Sequence, residues 1–416
     1  MIMIDRRRLL WNGSAAAAFA ALPAAAKIVV EPAGAAGFTA EGVAALNREM
    51  HALVDEERLA GVITVLARKG RVVNFDAYGY RDAGAKTPLG RDAIWNIASM
   101  TKPITGVAMM QLCEEGRWKL DDPVAKHIPQ FAGLKVKTAE GGLVDQRAPM
   151  TMLQLMSHTA GFDKETMSRP GIDGSDLQGM VDQIAETPLA SQPGTDFAYG
   201  PAVNIQGYVV EKLSGLDLAD YMQKRIFDPL KMPDTQFWVD PSKAGRVSRV
   251  HTYDDAGKIV PVAPPSALAA QKPRFLRGSG GLYSTAEDYY RFCQALANGG
   301  ALEGARILKP ETVKLMRVNV LAPGVGVDVF GPVQNGVGFG LDFAVHLRPD
   351  ESGMPLGLDS YWWGGALGTW FWIDPTNDVV FVGMIANLAG SRPGGQTPPM
   401  REIWPRLVYG ALAEKA

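Results

Sequence analysis

Apolar residues recur at steps of three and four positions after Thr39, which is the spacing of one face of an amphipathic helix ending at Gly61. The apolar positions of this face are Val43, Leu46, Met50, Leu53 and Val54. A different pattern follows, because 62–67 and 72–80 are runs rich in β-branched and aromatic residues. Gly70 lies between these runs, which predicts a β-hairpin with the glycine in its turn. The chain is therefore predicted to begin with a helix and two antiparallel strands.

Helical patterns broken by Pro- and Gly-rich loops occupy the middle of the chain, from about residue 103 to residue 270. Strand-like runs return at 361–374 and 378–386, and the composition of 375–377 between them predicts a second hairpin. Residues 401–416 have the pattern of a closing helix. Strands near both ends of the chain, with helices between them, indicate one sheet assembled from the two termini.

These elements predict an α/β (α+β) fold class. An antiparallel sheet built from N- and C-terminal strands is flanked by helices and carries an inserted, mostly helical domain. The sheet domain is expected to comprise residues 38–102 and 275–416, and the helical insertion residues 103–274.

The first 26 residues are predicted to be an export signal rather than part of the fold. Arg6–Arg8 precede a mildly apolar, alanine-rich run, and Ala24–Ala26 suit signal-peptidase cleavage. The paired arginines are typical of a twin-arginine signal, which predicts export of a folded protein to the periplasm. The run is shorter than the roughly 20 apolar residues that span a bilayer, so no membrane anchor is expected. Folding before export would leave Cys113 and Cys293 reduced, without a disulfide.

The composition, at 47% hydrophobic and 21% charged residues, is that of a globular protein with a large core. The 42 Lys and Arg residues nearly balance the 44 Asp and Glu residues, leaving a net charge of −2. Such a charge provides no field that would attract nucleic acid or an anionic membrane. Two cysteines and five scattered histidines give no metal-ligand spacing, so no metal or other cofactor is expected.

Ser99 and Lys102 form an S-x-x-K motif at the entrance of a predicted helix. A separation of three residues places both side chains on one helix face, so the amine can reach the hydroxyl. Unpaired backbone N–H groups at a helix N-terminus favour an oxyanion beside the serine. A lysine has a reference pKa of about 10.4, which desolvation and the helix dipole must lower before it serves as a base near neutrality. The alternative is a helix-capping serine beside a solvated lysine, and the motif alone does not decide between them.

The stretch around this motif, residues 97–131, resembles the serine β-lactamase-like superfamily. This superfamily includes class C β-lactamases, penicillin-binding D,D-peptidases and family VIII carboxylesterases. Four later segments resemble the superfamily in the same order, namely 150–162, 193–215, 228–238 and 278–292. The resemblance covers roughly residues 40–410 and implies a β-lactamase/transpeptidase-like fold.

The resemblance implies that Tyr199 completes a catalytic set with Ser99 and Lys102. A phenol can carry the proton between serine and leaving group when a lysine polarises it. The chain departs from the Tyr-x-Asn pattern of β-lactamases, because Pro201 has no side-chain amide to bind a β-lactam. His158 is interpreted as a structural residue, since lysine and tyrosine transfer protons in this superfamily. The absence of a G-x-S-x-G motif argues against an α/β-hydrolase.

The third motif of the superfamily differs in a second way. Trp363, Gly364 and Gly365 stand where β-lactamases have Lys-Thr-Gly, and this version is similar to that of family VIII esterases. A neutral aromatic side chain thus replaces the cation that helps fix a β-lactam carboxylate. Glycines on a strand allow close approach of substrate and backbone, and the N–H groups of Ser99 and Ala366 would form an oxyanion hole.

The expected activity is hydrolysis of small-molecule carboxylic esters with short to medium acyl chains through a Ser99 acyl-enzyme. Within the superfamily, the alternatives are a weak β-lactamase, a D,D-peptidase, a D-aminopeptidase, an amidase or an acyltransferase. The alternative from another class is a non-catalytic, penicillin-binding-like protein that binds ligands with the same fold. The sequence leaves the oligomeric state open.

Overall fold

The computed structural model describes residues 28–169, 172, 176–262, 270–329, 332–388 and 398–413. The predicted export signal, residues 1–26, lies outside these ranges. None of the helices within these ranges is long and apolar enough to cross a membrane.

The helices lie at both ends of the chain and throughout its middle. The α-helices are α1 (Ala40–Asp55), α2 (Thr101–Glu114), α3 (Met152–Met156), α4 (Leu177–Ala185), α5 (Ala202–Ser214), α6 (Leu218–Met222), α7 (Asp228–Leu230), α8 (Ala286–Ala297), α9 (Pro310–Met316), α10 (Pro349–Ser352) and α11 (Met400–Gly410). Short 3₁₀ turns lie at Ala33–Ala36, Ala98–Met100, Val124–Lys126, Pro129–Phe131, Lys164–Ser168 and Pro241–Arg246, and a π-helical turn lies at Gln223–Phe227.

The strands form one large sheet and several two-stranded ladders. They are β1 (Gly61–Arg68), β2 (Arg71–Asp82), β3 (Thr87–Pro88), β4 (Trp95–Asn96), β5 (Val136–Lys137), β6 (Leu143–Val144), β7 (His251–Tyr253), β8 (Ile259–Pro261), β9 (Tyr283–Ser284), β10 (Ala301–Leu302), β11 (Ala305–Arg306), β12 (Val337–Phe339), β13 (Ala344–His346), β14 (Tyr361–Gly364), β15 (Trp370–Asp374) and β16 (Val379–Met384).

The large sheet is antiparallel and has eight strands in the order β12-β13-β14-β15-β16-β1-β2-β3. Ile63 of β1 lies opposite Met384 of β16, so strands from the two ends of the chain meet inside the sheet. β1 is buried along its whole length, as expected for a central strand covered on both faces. The predicted fold class is confirmed, whereas the domain boundaries at residues 102 and 274 remain a prediction.

Helices cover both faces of the sheet. On one face Trp404 of α11 packs against Phe381 and donates a hydrogen bond from Nε1 to the sulfur of Met50 in α1, at 3.1 Å. On the other face Tyr289 of α8 contacts the ring of Phe371, with centroids 5.2 Å apart. The Tyr289 hydroxyl also donates to the Met100 carbonyl at 2.8 Å, so α8 contacts both the sheet and the residue before α2.

The apolar face predicted for the first helix is the face that α1 buries, and the Thr39 hydroxyl caps its first turn. The predicted end at Gly61 is wrong, because α1 ends at Asp55. Glu57 adopts a left-handed conformation with φ of 52°, and the Arg58 N–H donates to the Leu53 carbonyl at 2.8 Å. This reversal closes the helix before β1 begins.

The strand-like run 361–374, predicted to be one strand, forms two, β14 and β15. A turn joins them, in which the Gly365 N–H donates to the Thr369 carbonyl at 2.7 Å and Gly368 has a φ of 95°. The pattern conceals this turn, because Ala366 and Leu367 are as apolar as the flanking strands. The predicted hairpins β1–β2 and β15–β16 are confirmed.

Candidate active site

Ser99 lies in a 3₁₀ turn, Ala98–Met100, that leads directly into α2. Ala98 has a φ of 44°, an unfavourable conformation for a residue with a Cβ, and the Asn96 side chain accepts its N–H at 2.9 Å. The Thr101 hydroxyl donates to the Ala98 carbonyl at 2.7 Å and fixes the other side of the turn. The local backbone therefore holds Ser99 at the positive end of the α2 dipole.

Lys102 is buried, with 4% of its surface exposed, and its amine points back to the turn that holds Ser99. Its Nζ lies 3.1 Å from the Ser99 Oγ and donates to the Ser279 carbonyl at 2.6 Å. No carboxylate of the described residues lies within ion-pair distance of this amine. An amine within hydrogen-bond distance of a serine hydroxyl is placed to exchange a proton with it.

Tyr199, just before α5, contacts both the Lys102 amine and Trp363 of strand β14. The Lys102 Nζ lies 4.4 Å from the centre of the Tyr199 ring. The Trp363 Nε1 donates a hydrogen bond to the Tyr199 hydroxyl at 3.2 Å, and the two rings lie 5.5 Å apart. The structure thus brings together the four side chains that the sequence motifs singled out, namely Ser99, Lys102, Tyr199 and Trp363.

The end of β14 and the glycine after it approach the turn that holds Ser99 closely, because these positions lack side chains. A Cβ on Gly365 would lie 2.7 Å from the Ile97 carbonyl oxygen, and one on Gly364 would lie 3.0 Å from a guanidinium nitrogen of Arg401. Within the described ranges, the backbone N–H groups of Ser99 and Ala366 donate no hydrogen bond. Both groups are therefore available to a ligand oxygen.

His158 lies behind Tyr199, with its ring centre 5.0 Å from that of the tyrosine. Its side chain is fully buried, and neither ring nitrogen has a hydrogen-bond partner among the described residues. Burial, together with the nearby positive charge of Lys102, lowers the pKa of His158 to about 3. An imidazole that stays neutral and makes no hydrogen bond to Ser99 has the environment of a packing residue, in keeping with its structural interpretation.

Three contributions to the site were not predicted from the sequence, although the first of them lies in the segment 278–292 that resembles the superfamily. The Gly-Ser-Gly-Gly loop at 278–281 supplies the Ser279 carbonyl to Lys102, and Asn204 accepts the Ser279 N–H at 2.9 Å. Asp342 is buried beside His158, with 3.9 Å between Nε2 and a carboxylate oxygen. Arg401 lies over the Trp370 ring, and burial lowers its pKa to about 10. Each reaches the site from a distant part of the chain.

Two cavities flank the turn that carries Ala366. One of about 470 Å³ contains Ala366, Met354, Trp370, Ile385 and Arg401 among its lining residues. The other, of about 700 Å³, is lined by residues that include Asn96, Val247, Arg249, Tyr283 and Leu367. Ser99, Lys102 and Tyr199 line neither cavity, so both spaces lie beside the site rather than at the serine itself. Among the residues with assigned positions, no cluster of three His, Cys, Asp or Glu side chains could hold a metal ion.

Replacing Trp363 with phenylalanine is expected to lower kcat/KM for a hydrolysed substrate about 3- to 10-fold. The change removes the Nε1–H that donates to the Tyr199 hydroxyl, and a hydrogen bond of this kind contributes about 1 kcal/mol. Steady-state kinetics of the purified variant measure the effect, and thermal unfolding shows whether the fold is kept.

The matched control is Trp372→Phe. Trp372 is buried on the opposite face of the sheet, where its ring stacks on that of Phe381 with centroids 4.2 Å apart. This control should lose stability and leave kcat/KM within twofold of the wild-type value. Equal kinetic losses in both variants would show that the Trp363 hydrogen bond has no specific role.

Comparison with known proteins connects this geometry to a family. The profile of the beta-lactamase family matches residues 46–399. Protein Rv1367c of Mycobacterium tuberculosis is 31% identical over 352 residues, which cover 80% of this chain and 86% of the relative. Esterase EstB of Burkholderia gladioli is 30% identical over 344 residues, covering 76% of this chain and 83% of the esterase.

A solved structure agrees with the fold. That of EstCE1, described as a hydrolase with promiscuous acyltransferase activity, superimposes with a TM-score of 0.74 at 24% identity and covers 90% of this chain and 99% of EstCE1. The family match covers most of the sequence, and the solved structure has the same fold. This chain therefore belongs to the beta-lactamase family and has the fold of its serine hydrolases.

Proposed function

We propose that this protein hydrolyses small-molecule carboxylic esters through an acyl-enzyme on Ser99. The observation that carries the proposal is the 3.1 Å contact between the buried Lys102 amine and the Ser99 hydroxyl, at the N-terminus of α2. A nucleophile and base in hydrogen-bond contact are the core of covalent acyl transfer.

In the proposed acylation, the uncharged Lys102 amine accepts the Ser99 hydroxyl proton while the Oγ bonds to the ester carbonyl carbon. The carbonyl oxygen becomes negatively charged, and the N–H groups of Ser99 and Ala366 donate hydrogen bonds to it. The α2 dipole also favours negative charge at this position. The C–O bond to the alcohol then breaks, which leaves the acyl group on Ser99.

Tyr199 is proposed to deliver the proton that the leaving alkoxide needs. Its ring lies over the Lys102 amine, and its hydroxyl accepts the Trp363 Nε1–H, so the phenol O–H can point to the leaving group. A water molecule then attacks the acyl carbon and gives its proton to the Tyr199 phenolate. The bond between the acyl carbon and the Ser99 Oγ breaks, the Lys102 ammonium returns its proton to that oxygen, and the acid is released. The two half-reactions use the same groups in opposite directions.

An ester is favoured over a β-lactam by the residues at two positions. Trp363 stands where a β-lactamase presents a cation, and Pro201 offers no amide to the lactam side chain. Esterase EstB, a relative that bears an activity in its name, supports the same substrate class. A β-lactamase or peptidase activity would have to bind its substrate without those two contacts.

Acyl transfer to an alcohol is the second candidate, because an alcohol that attacks the acyl-enzyme in place of water would take the acyl group from Ser99. The similarly folded EstCE1, a hydrolase with promiscuous acyltransferase activity, supports this second candidate. An added alcohol would then yield a new ester rather than free acid.

A series of p-nitrophenyl esters, assayed beside a penicillin and a chromogenic cephalosporin, tests the proposal. Wild-type enzyme is expected to have its highest kcat/KM on short- to medium-chain esters, with β-lactam turnover at least about 100-fold slower, the loss expected for a site lacking key polar contacts. Ser99→Ala is the control for non-enzymatic hydrolysis. Faster turnover of the cephalosporin than of every ester would refute the esterase assignment.

A fluorophosphonate probe separates an enzyme from a silent binding protein. It should label wild-type protein at Ser99, as located by peptide mass spectrometry, and should leave Ser99→Ala unlabelled. A folded wild-type protein that resists labelling would support the non-catalytic alternative.

A further inference from the structure

A turn at residues 278–281, just before β9, supplies the carbonyl that accepts a hydrogen bond from the Lys102 amine. The residue that carries this carbonyl, Ser279, is surrounded by glycines, because the other three residues of the turn are all glycine. Glycine permits many backbone conformations, so contacts with other segments must fix the direction of the carbonyl. A Cβ on Gly278 would lie 3.0 Å from the Val203 carbonyl oxygen, which shows how closely the turn lies against α5.

The peptide group before Ser279 is held at both ends by side chains of the two neighbouring helices. The Thr105 hydroxyl of α2 donates to the Gly278 carbonyl at 2.8 Å. The Ser279 N–H, at the other end of the same peptide group, donates to the Asn204 Oδ1 of α5 at 2.9 Å. Thr105 and Asn204 therefore fix the orientation of this peptide group.

The peptide group after Ser279 carries the carbonyl that contacts the lysine. Its N–H, that of Gly280, donates to the Arg277 carbonyl at 3.1 Å. Its carbonyl oxygen, that of Ser279, accepts the hydrogen bond from the Lys102 Nζ at 2.6 Å. Two consecutive peptide groups are thus held by hydrogen bonds, and the second one holds the amine.

Asn204 is fully buried, and both ends of its amide have a partner. Its oxygen faces the Ser279 N–H, which requires an acceptor, and its Nδ2 donates to the sulfur of Met167 at 3.5 Å. Within the described ranges, no hydrogen bond joins the Asn204 side chain to Ser99 or Lys102. Any effect of Asn204 on the reaction must therefore pass through the Ser279 backbone.

We propose that Asn204 is a positioning residue, which acts through the Ser279 backbone to orient the Lys102 amine toward Ser99. The inference rests on the proposed role of Lys102 as the base. An uncharged amine has two N–H bonds and one lone pair. When one N–H is donated to the Ser279 carbonyl, the rotation of the amine is restricted, and its lone pair can face the Ser99 Oγ at 3.1 Å. Without Asn204, the turn can rotate this carbonyl, and the amine turns with it.

Asn204→Leu tests the proposal, because leucine has a similar size and offers no acceptor to the Ser279 N–H. The variant is expected to lower kcat for a p-nitrophenyl ester about 10- to 100-fold, the scale of a misplacement of about 1 Å in a catalytic group. KM should stay within about threefold of the wild-type value, since the amine is needed for proton transfer rather than for binding. Steady-state kinetics of the purified variant measure both constants.

A double-mutant cycle with Lys102→Met separates positioning of the amine from a general structural effect. The measurement is the rate of Ser99 labelling by a fluorophosphonate, followed by peptide mass spectrometry over days for the slow variants. Once the amine is absent, Asn204→Leu should change the labelling rate by less than about twofold, because the two residues act on the same step. A purely structural effect would instead give the same fold loss with and without the amine.

A second variant keeps the test decisive if Asn204→Leu does not fold. Thr105→Val keeps the shape of the side chain and removes the hydroxyl at the other end of the same peptide group, so it should lower kcat about 3- to 10-fold. Gln111→Met is the matched control, because Gln111 is another buried amide of α2, which donates to the Arg225 and Ile307 carbonyls at 3.1 and 3.0 Å. It should lower the unfolding temperature and leave kcat within about twofold of wild type.

The outcomes distinguish this inference from the proposed function. Equal fold losses from Asn204→Leu in the presence and absence of the Lys102 amine overturn the positioning role and leave Ser99 as the nucleophile. A wild-type kcat in both Asn204→Leu and Thr105→Val overturns it as well. Wild-type protein that is never labelled at Ser99 overturns both proposals together.

Discussion

Replacing Lys102 with methionine is expected to lower kcat/KM for p-nitrophenyl esters at least about 1,000-fold, or about 4 kcal/mol of transition-state stabilisation. Methionine keeps the unbranched stem that packs in α2 and removes the amine 3.1 Å from the Ser99 hydroxyl. Without that base, the hydroxyl must lose its proton to water during attack. Steady-state kinetics over a pH range measure the loss, which should persist at every pH.

The fold is expected to survive this substitution. Lys102 is buried, and none of the described carboxylates pairs with it, so exchanging it for a neutral side chain leaves no acid without its partner. Lys126→Met is the matched control, because the Lys126 amine pairs with Asp122 at 2.8 Å on the surface. That variant should keep full activity, since exposed ion pairs contribute little. Activity of Lys102→Met within tenfold of wild type would remove lysine from the mechanism.

The sequence was informative wherever chemistry depended on neighbours in the chain. Ser99 and Lys102 are three residues apart, and the 3₁₀ turn that leads into α2 brings their side chains together. Tyr199 and Trp363 could not be placed by spacing, and the resemblance of their motifs to a family supplied them. The structure adds the direct contact between their side chains, at 3.2 Å.

The contributions that the sequence did not reveal depend on contacts between distant segments. The carbonyl of Ser279 lies 177 residues from Lys102 in the chain, and Asp342 lies 136 residues from Gln206. A backbone carbonyl leaves no mark in a sequence, and a single aspartate in an apolar segment has many ordinary explanations. Burial, which determines the proton affinity of such an acid, is a property of the folded chain.

The elements of the fold likewise divide into those that a local sequence pattern predicts and those that it does not. Hydrophobic periodicity located α1 and the hairpins β1–β2 and β15–β16, because each follows a regular repeat of period 3.6 or 2. The turn between β14 and β15 contains apolar Ala366 and Leu367, so composition did not distinguish it from a strand. That concealed turn carries the N–H proposed for the oxyanion hole.

Gly365→Ala is expected to lower kcat about 100- to 1,000-fold, the loss that follows removal of one oxyanion-hole donor. The new Cβ would lie 2.7 Å from the Ile97 carbonyl oxygen and would also collide with the Thr369 hydroxyl. Since Ile97 leads into the turn that holds Ser99, relief of this contact must separate the nucleophile from the Ala366 N–H. The measurement is kcat for an ester, with KM as the index of binding.

The control for this substitution is a glycine with space around it. Gly133→Ala introduces a Cβ with no heavy atom within 4 Å, and Gly133 does not adopt a left-handed φ. That variant should match wild type in activity and in unfolding temperature. A Gly365→Ala enzyme with wild-type kcat would show that the N–H groups of Ser99 and Ala366 need not be held together, and the proposed oxyanion hole would be wrong. A loss confined to kcat, with KM unchanged, is the signature of an interaction made in the transition state.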